Sequence, residues 1–307
     1  MTTIVLPDTP FRYDELATIG LTRKRLRALV TAGDVRRLLT GVYVSADLPD
    51  TIELRTGAVA LVVEPQHVVC DRTAAWIHGV DALTYGEHQY LPPVEICTLR
   101  GRHPTERGDV DGHSRDLQPD DIMVVEGLRV TTPLRTALDL GCLLRRREAY
   151  ALLNDMCRRH DLSPDRLAAE TTRRYRRRRG VIQLRSMIPL IDLRVESPRE
   201  SWTLLEIRDA GLPVPEAQVW IQIDGVPTYR LDLCYPRYRI AIEYDGWEFH
   251  DRTPEQREHD ERRRAWLRQQ GWVVIVVKRG DFTGRARERW LAELRETLDS
   301  RYTNRRW

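Results

Sequence analysis

Tyr229 to His250 reads YRLDLCYPRYRIAIEYDGWEFH. Leu231 and Leu233 before Pro236, and Ile240 and Ile242 after it, are the apolar half of a period-two pattern, which predicts two strands. Pro236 with Arg237 and Tyr238 supplies the turn. Three acids interrupt the pattern: Asp232, Glu243 and Asp245. With an even turn, Asp232 and Glu243 point to the same side of the sheet, roughly 5–8 Å apart at Cβ. Asp245, two residues beyond Glu243, lies on that side too. Like charges held that close repel, and burial aggravates the repulsion. A cation between the carboxylates relieves it. Oxygen ligands without a neighbouring Cys or His pair favour a hard ion, Mg²⁺ or Mn²⁺. Such ions serve phosphate chemistry by activating water and neutralising the leaving oxygen.

The flanking segments extend the pattern. Ser197-Pro198-Arg199-Glu200 opens a helix as a capping box with Pro at its first position. Glu200, Leu204 and Ile207 share the face that packs on the sheet, so Glu200 can be a cap, a ligand or both. Ala217–Ile223 reads as a first strand, with Asp224-Gly225 as a tight turn. Thr253-Pro254-Glu255-Gln256 is a second capping box, starting a helix that ends at Gly271. On it Asp260 and Arg263 are spaced to pair, and Arg257 and Arg264 are placed to hold a phosphate. Trp272–Val277 is apolar without alternation, as a strand buried on both faces should be. A last helix spans roughly Gly284 to Leu298, giving the order α-β-β-β-α-β-α.

An acid in one strand, followed about ten residues later by acid-x-acid in the next, resembles the PD-(D/E)xK nuclease core. The strings DLCYP and IEYDGWEFH are similar to the branch related to very-short-patch repair endonucleases. The resemblance covers roughly the last hundred residues. It implies a Mg²⁺-dependent DNA endonuclease or nickase. Asp232 and Glu243 would be metal ligands, Glu200 and Asp245 would assist, and Glu243 or His250 would activate water. The usual lysine position holds Asp245, and His250 is the nearest candidate for the unassigned role. An imidazole with a pKa near 6.5 suits proton transfer; a surface His before a helix is the alternative. Trp247 and Phe249 could wedge into a base step or pack in the core.

At the other end, residues 11–45 read FRYDELATIGLTRKRLRALVTAGDVRRLLTGVYVS. The pattern predicts a short helix over Tyr13–Thr18 and a turn at Gly20. A second helix, capped by Thr22, runs to about Ala32 and is stopped by Gly33. Two short strands, Val35–Leu38 and Val42–Val44, follow. Arg23, Lys24, Arg25 and Arg27 crowd the first turns of the second helix. Helix, turn, helix and wing predict a winged helix-turn-helix, whose second helix would read the major groove; the alternative is a small helical domain with a solvated basic face. The residues GLT, GDVRRL and GVY resemble the N-terminal domain of abortive-infection antitoxins.

In between, Thr56–Val63 is a helix or strand, Val69–Val80 a helix ending near Gly79, and Val94–Leu99 a strand. Met123–Val125 and Leu128–Val130 flank a turn, and Pro133–Leu144 is a helix opened by Thr132. His78 reads as a packed, hydrogen-bonded core residue. His103, Arg107 and His113 show no metal spacing. This region resembles the middle of the same antitoxins. Residues 145–190 are helical and carry the densest basic run, Arg173 to Arg179. Arg174 and Arg177 could attract phosphate there and Tyr175 could stack on a base, unless the run is a solvated helix face.

The chain has 307 residues, 31% charged and 41% hydrophobic, with a net charge of +3. Its only lysines are Lys24 and Lys278. Arginine is the better reader of phosphate and guanine, although the codons of a GC-rich genome produce the same excess. The five scattered cysteines form no C-x-x-C pair, which argues against structural zinc and a disulfide framework. No signal peptide or membrane span is visible, so the expected location is cytoplasmic.

The expected fold is mixed α/β in four parts: a winged helix-turn-helix (1–50), a mixed α+β region (51–144), a basic helical connector (145–191) and a restriction-endonuclease-like core (192–307). The expected function is a DNA endonuclease or nickase, monomeric or homodimeric, targeted to double-stranded DNA by its N-terminal domain. The alternative is a non-catalytic, antitoxin-type regulator with a degenerate nuclease fold and a possible toxin partner.

Overall fold

The Thr22 hydroxyl accepts a hydrogen bond from the Arg25 N–H at 3.2 Å and so starts α1 (Arg23–Ala32). Gly33, at φ 82°, ends the helix by donating to the carbonyls of Leu29 and Val30; only a residue tolerant of that conformation closes a helix this way. Strands β2 (Val35–Leu39) and β3 (Val42–Ser45) form the wing, and β1 (Phe11–Arg12) completes a three-stranded sheet in the order β1-β3-β2. Where the sequence predicts a first helix over Tyr13–Thr18, a single 3-10 turn forms at Tyr13–Glu15. The Glu15 carboxylate accepts from the Arg12 N–H at 2.8 Å, and the Leu21 N–H reaches back to the Leu16 carbonyl, so a closed loop replaces further helical turns.

The computed structural model describes residues 6–83, 92–100, 110–245 and 254–303. It contains two compact units: Met1–Leu143 with Asp165–Leu184, and Leu144–Pro164 with Arg185–Trp307. The segment expected as a connector is shared between them.

In the first unit, α2 (Ile52–Ala60), β4 (Val68–Val69) and α3 (Asp71–Ile77) lead to β5 (Val94–Leu99), β6 (Val110–Arg115), β7 (Ile122–Val125) and β8 (Leu128–Thr131). The five strands pair in the order β6-β5-β4-β8-β7. Leu38, Val42 and Val44 of the wing share one core with Val59, Ile77, Ile96 and Val130. His78 is buried, its Nε2 2.7 Å from the Thr131 carbonyl oxygen, as the sequence predicts. Helices α4 (Pro133–Leu143) and α6 (Pro164–Arg174) belong here too. Gly180 passes so close to α4 that a Cβ on it would lie 2.1 Å from the Cys142 carbonyl oxygen.

In the second unit, α5 (Arg146–Arg159) packs on α8 (Pro198–Asp209). Buried Asn154 donates to Ser201 at 3.0 Å and accepts from the Asp192 N–H at 3.1 Å. Four strands follow: β9 (Glu216–Ile223), β10 (Val226–Tyr235), β11 (Ile240–Asp245) and β12 (Val273–Lys278). They pair in the order β12-β11-β10-β9, antiparallel except for β11 with β12. A parallel neighbour requires a crossover, and α9 (Pro254–Gln269) supplies it. Helix α10 (Gly284–Thr303) closes the unit. The element order is the one expected from sequence. Helix α7 (Val181–Met187) joins the units in the chain.

Candidate functional site

The turn of the β10–β11 hairpin is a 3-10 turn at Pro236–Tyr238, with Arg239 in the left-handed region at φ 51°. It sets Leu233 opposite Ile242 and Tyr235 opposite Ile240, so Asp232 falls opposite Glu243. Opposed residues in an antiparallel pair share a face, which brings the two acids together as expected. The Tyr244 N–H reaches Asp232 Oδ2 at 3.4 Å. Burial, and then the charges of Glu200 and Glu243, push the Asp232 carboxyl up to about 6.

Glu200 stands in the first turn of α8 with two tasks. Its N–H donates to Ser197 Oγ at 3.2 Å, which caps the helix. Its buried carboxylate accepts from the Glu196 N–H at 3.1 Å and from Gln218 Nε2 at 2.7 Å. Gln218, on β9, adopts φ 57°, a conformation that is uncommon for a residue other than glycine. Ala217 and Leu233 pack in one apolar cluster, whereas Val219 and Leu231 pack in the other. A regular strand would keep residues two apart on one face; here the alternation breaks at Gln218 and Asp232.

The acids are met by two arginines of α9. Arg263 Nη2 lies 2.8 Å from Glu243 Oε2, and Arg264 contacts Glu243 Oε2 and Asp245 Oδ2, each at 3.2 Å. Burial opposes the charge on Arg264, but Glu243 and Asp245 outweigh it and raise its pKa. Arg264, expected to hold a phosphate, is engaged by Glu243 and Asp245, and Arg263 contacts Glu243. The reason is electrostatic: an uncompensated buried carboxylate draws in the nearest cation. Glu243 is only 2% exposed, and its Oε1 has no hydrogen-bond partner. Among the described residues, no three His, Cys, Asp or Glu side chains stand ready to hold a metal ion; the guanidinium groups lie against the acids instead. His250, Trp247, Phe249 and the side chain of Arg257 lie outside the described residues.

The basic residues expected to meet DNA divide into two groups. Arg23, Lys24, Arg25 and Arg27 are all exposed on α1, while Leu26 is buried beneath them. Arg23 also lies over the Tyr13 ring, 5.3 Å from its centroid. Arg177 is exposed. Arg174 is different: it pairs with buried Asp121, its Nη1 2.8 Å from Oδ1. Tyr175 is buried and donates to Asp139 Oδ1 at 2.6 Å, which removes it from any base-stacking role. Arg178 also pairs with Asp139.

These contacts belong to a buried ion network that the sequence reading missed. Arg115 bridges Asp71 and Asp139, Arg135 bridges Asp139 and Asp121 at 2.8 and 2.7 Å, and Arg174 closes on Asp121. Arg135 and Asp139, four apart on the apolar helix α4, were the available signal. His103 and Arg107 lie outside the described residues.

Residues 67–190 match the AbiEi antitoxin C-terminal domain, and every member of that network falls within the match. Two Mycobacterium tuberculosis proteins, "Uncharacterized protein Rv2248" and its counterpart in a second strain, "Uncharacterized protein MT2308", are 30% identical to this chain over 258 residues. The similarity spans 84% of this chain and 90% of each relative. At that identity over most of both lengths, this chain belongs to one family with the two mycobacterial proteins.

Proposed function

We propose that this chain is a DNA-binding protein of the antitoxin type, with α1 as the element that meets the duplex. The observation that carries the reading is the exposed row Arg23, Lys24, Arg25 and Arg27 at the start of a capped helix, followed by a β-wing. A single 3-10 turn stands where a winged helix-turn-helix has its first helix, but α1 and the wing keep the arrangement in which the early residues of the recognition helix face base edges and surrounding cations meet phosphates. The antitoxin-domain match supports the same reading and makes a toxin the protein partner to look for. The test is a gel-shift titration on the duplex upstream of the chain's own gene. A variant with all four cations changed to Ala should lose most of the binding; equal binding by both proteins would reject the reading.

A second reading is favoured by one observation in the other unit: Asp232 faces Glu243 beside Glu200, and Glu243 Oε1 is buried without a donor. An all-oxygen donor set fits a hard cation, Mg²⁺ or Mn²⁺. In this reading Asp232 and Glu243 would hold the ion, with Glu200 and Asp245 assisting, and Arg263 and Arg264 would have to yield their contacts with Glu243 and Asp245 to it. Glu243 or His250 takes the proton of the attacking water. The ion supplies charge neutralisation at the phosphate. Supercoiled plasmid with Mg²⁺ decides it: nicking by wild type that is lost in Asp232→Ala and Glu243→Ala supports hydrolysis, and the same result for all three proteins refutes it.

A further inference from the structure

Cys70 and Cys97 meet inside the first unit. Strand β4 runs antiparallel to β5, with Val68 opposite Cys97 and Val69 opposite Ile96. Cys70 continues β4 by one residue, and its N–H donates to the Glu95 carbonyl at 3.0 Å. Residues two apart on a strand share a face, so Val68, Cys70 and Cys97 lie on one side of the sheet. They form one buried cluster, with Leu117 and Ile122 packed against it. Within it the Cys70 thiol donates to Cys97, which lowers the Cys97 pKa against its burial and raises that of Cys70. Asp71 Oδ2, 3.7 Å from Cys70 Sγ, is a second acceptor for the same proton. The positive charge of Arg115, bound to Asp71, also favours a thiolate at Cys97.

Buried thiols are ordinarily inert, and the other three cysteines fit that rule. Burial pushes the thiols of Cys142, Cys157 and Cys234 up to about 11, 12 and 12. Cys70 and Cys97 differ in having a sulfur for a neighbour, and in where they sit. Strand β4 is only two residues long. Cys70 is the N-cap of α3 but makes no side-chain cap bond. Asp71 follows it at φ 49°, a conformation that strains a residue other than glycine. A corner with a short strand, no cap and a strained residue is where local opening begins. Opening there lets a small oxidant reach both sulfurs.

We infer that Cys70 and Cys97 are a redox pair that a hydroperoxide closes into a disulfide. The Cys97 thiolate attacks one peroxide oxygen, the O–O bond breaks, and the departing hydroxide takes a proton from solvent. Cys97 is left as a sulfenic acid. The Cys70 sulfur then attacks the Cys97 sulfur, the S–O bond breaks, and hydroxide leaves with the Cys70 proton as water. Two thiols are oxidised, and one peroxide is reduced to two waters. The new bond draws Cys70 toward β5 and ties the β4–α3 corner to the sheet. Val69 and Ile96, beside the pair, pack in the core that holds Leu38, Val42 and Val44 of the wing, so the tie is made next to the wing's own support.

The test treats the reduced full chain with hydrogen peroxide, alkylates it in denaturant and maps the peptides by mass. The chain should lose two of its five thiols and yield a Cys70–Cys97 linked peptide two hydrogens lighter than its parts. Cys142, Cys157 and Cys234 should stay alkylated, and dithiothreitol should restore the pair. Amide hydrogen exchange over residues 67–74 should slow severalfold in the oxidised chain and recover on reduction. In Cys70→Ser, checked for folding by circular dichroism, Cys97 should stop at the sulfenic acid and be trapped by dimedone. Five thiols left intact, a different pairing, or sulfinic acid in place of the bond would overturn the inference. So would exchange over residues 67–74 that is the same in both states. The wild-type mapping decides the matter even if the variant does not fold.

Discussion

The carboxyl of Asp232 is half-buried between Leu231 and Leu233, and its pKa of about 6 stands above 3.8 for a free side chain. The folded form holds this proton more tightly than the unfolded chain does. The group therefore favours folding at low pH and loses that contribution as pH rises from about 4 through 6. Asp232→Asn removes the ionised carboxylate. Without divalent ions at pH 7.5 the variant should be more stable than wild type by roughly 1–3 kcal/mol, and the gap should shrink by pH 4.5. Thermal melts at the two pH values measure this, and a less stable variant at pH 7.5 would contradict the geometry. Asp139 is the opposite case, a buried acid with abundant partners in Arg115, Arg135, Arg178 and Tyr175. Asp139→Ala strands those cations and should cost about 3–5 kcal/mol in denaturant melts. A cost below about 1 kcal/mol would mean that the network is loosely held.

The helix α1 depends on its two ends. Thr22→Ala removes the cap and should destabilise the first unit by about 1 kcal/mol, with a parallel loss of DNA affinity as the first turn frays. Unchanged affinity would place the duplex elsewhere. This element was legible because its signals are local: a cap, an apolar face and a glycine stop. The hairpin was legible for the same reason, since Pro236 and the alternation around it set the register that joins Asp232 to Glu243. Strand β6 was not. VDGHSR carries little apolar alternation, and it becomes a strand by pairing in parallel with β5, a contact the local pattern does not encode. The basic run misled for a related reason. Arg173 to Arg179 looks like a solvated face, yet Arg174, Tyr175 and Arg178 find buried acids in Asp121 and Asp139, 36 to 53 positions earlier in the chain. Likewise, nothing about a glutamine announces the left-handed backbone of Gln218.

At the scale of the whole molecule, a net charge of +3 spread over 49 basic and 46 acidic residues makes no general polycation. Attraction for DNA must come from local concentrations of charge, and much of the arginine is spent on internal acids. The cations of α1 remain exposed. All five cysteines are free and buried. No described helix is long and apolar enough to cross a membrane. The most direct measurement is binding to the promoter duplex by fluorescence anisotropy, across a salt series, for wild type and for the variant with Ala at Arg23, Lys24, Arg25 and Arg27. The account predicts wild-type binding that falls steeply with salt, and a variant that binds weakly with a slope shallower by about one unit for each phosphate contact removed. The same affinity and the same salt slope for both proteins would contradict it.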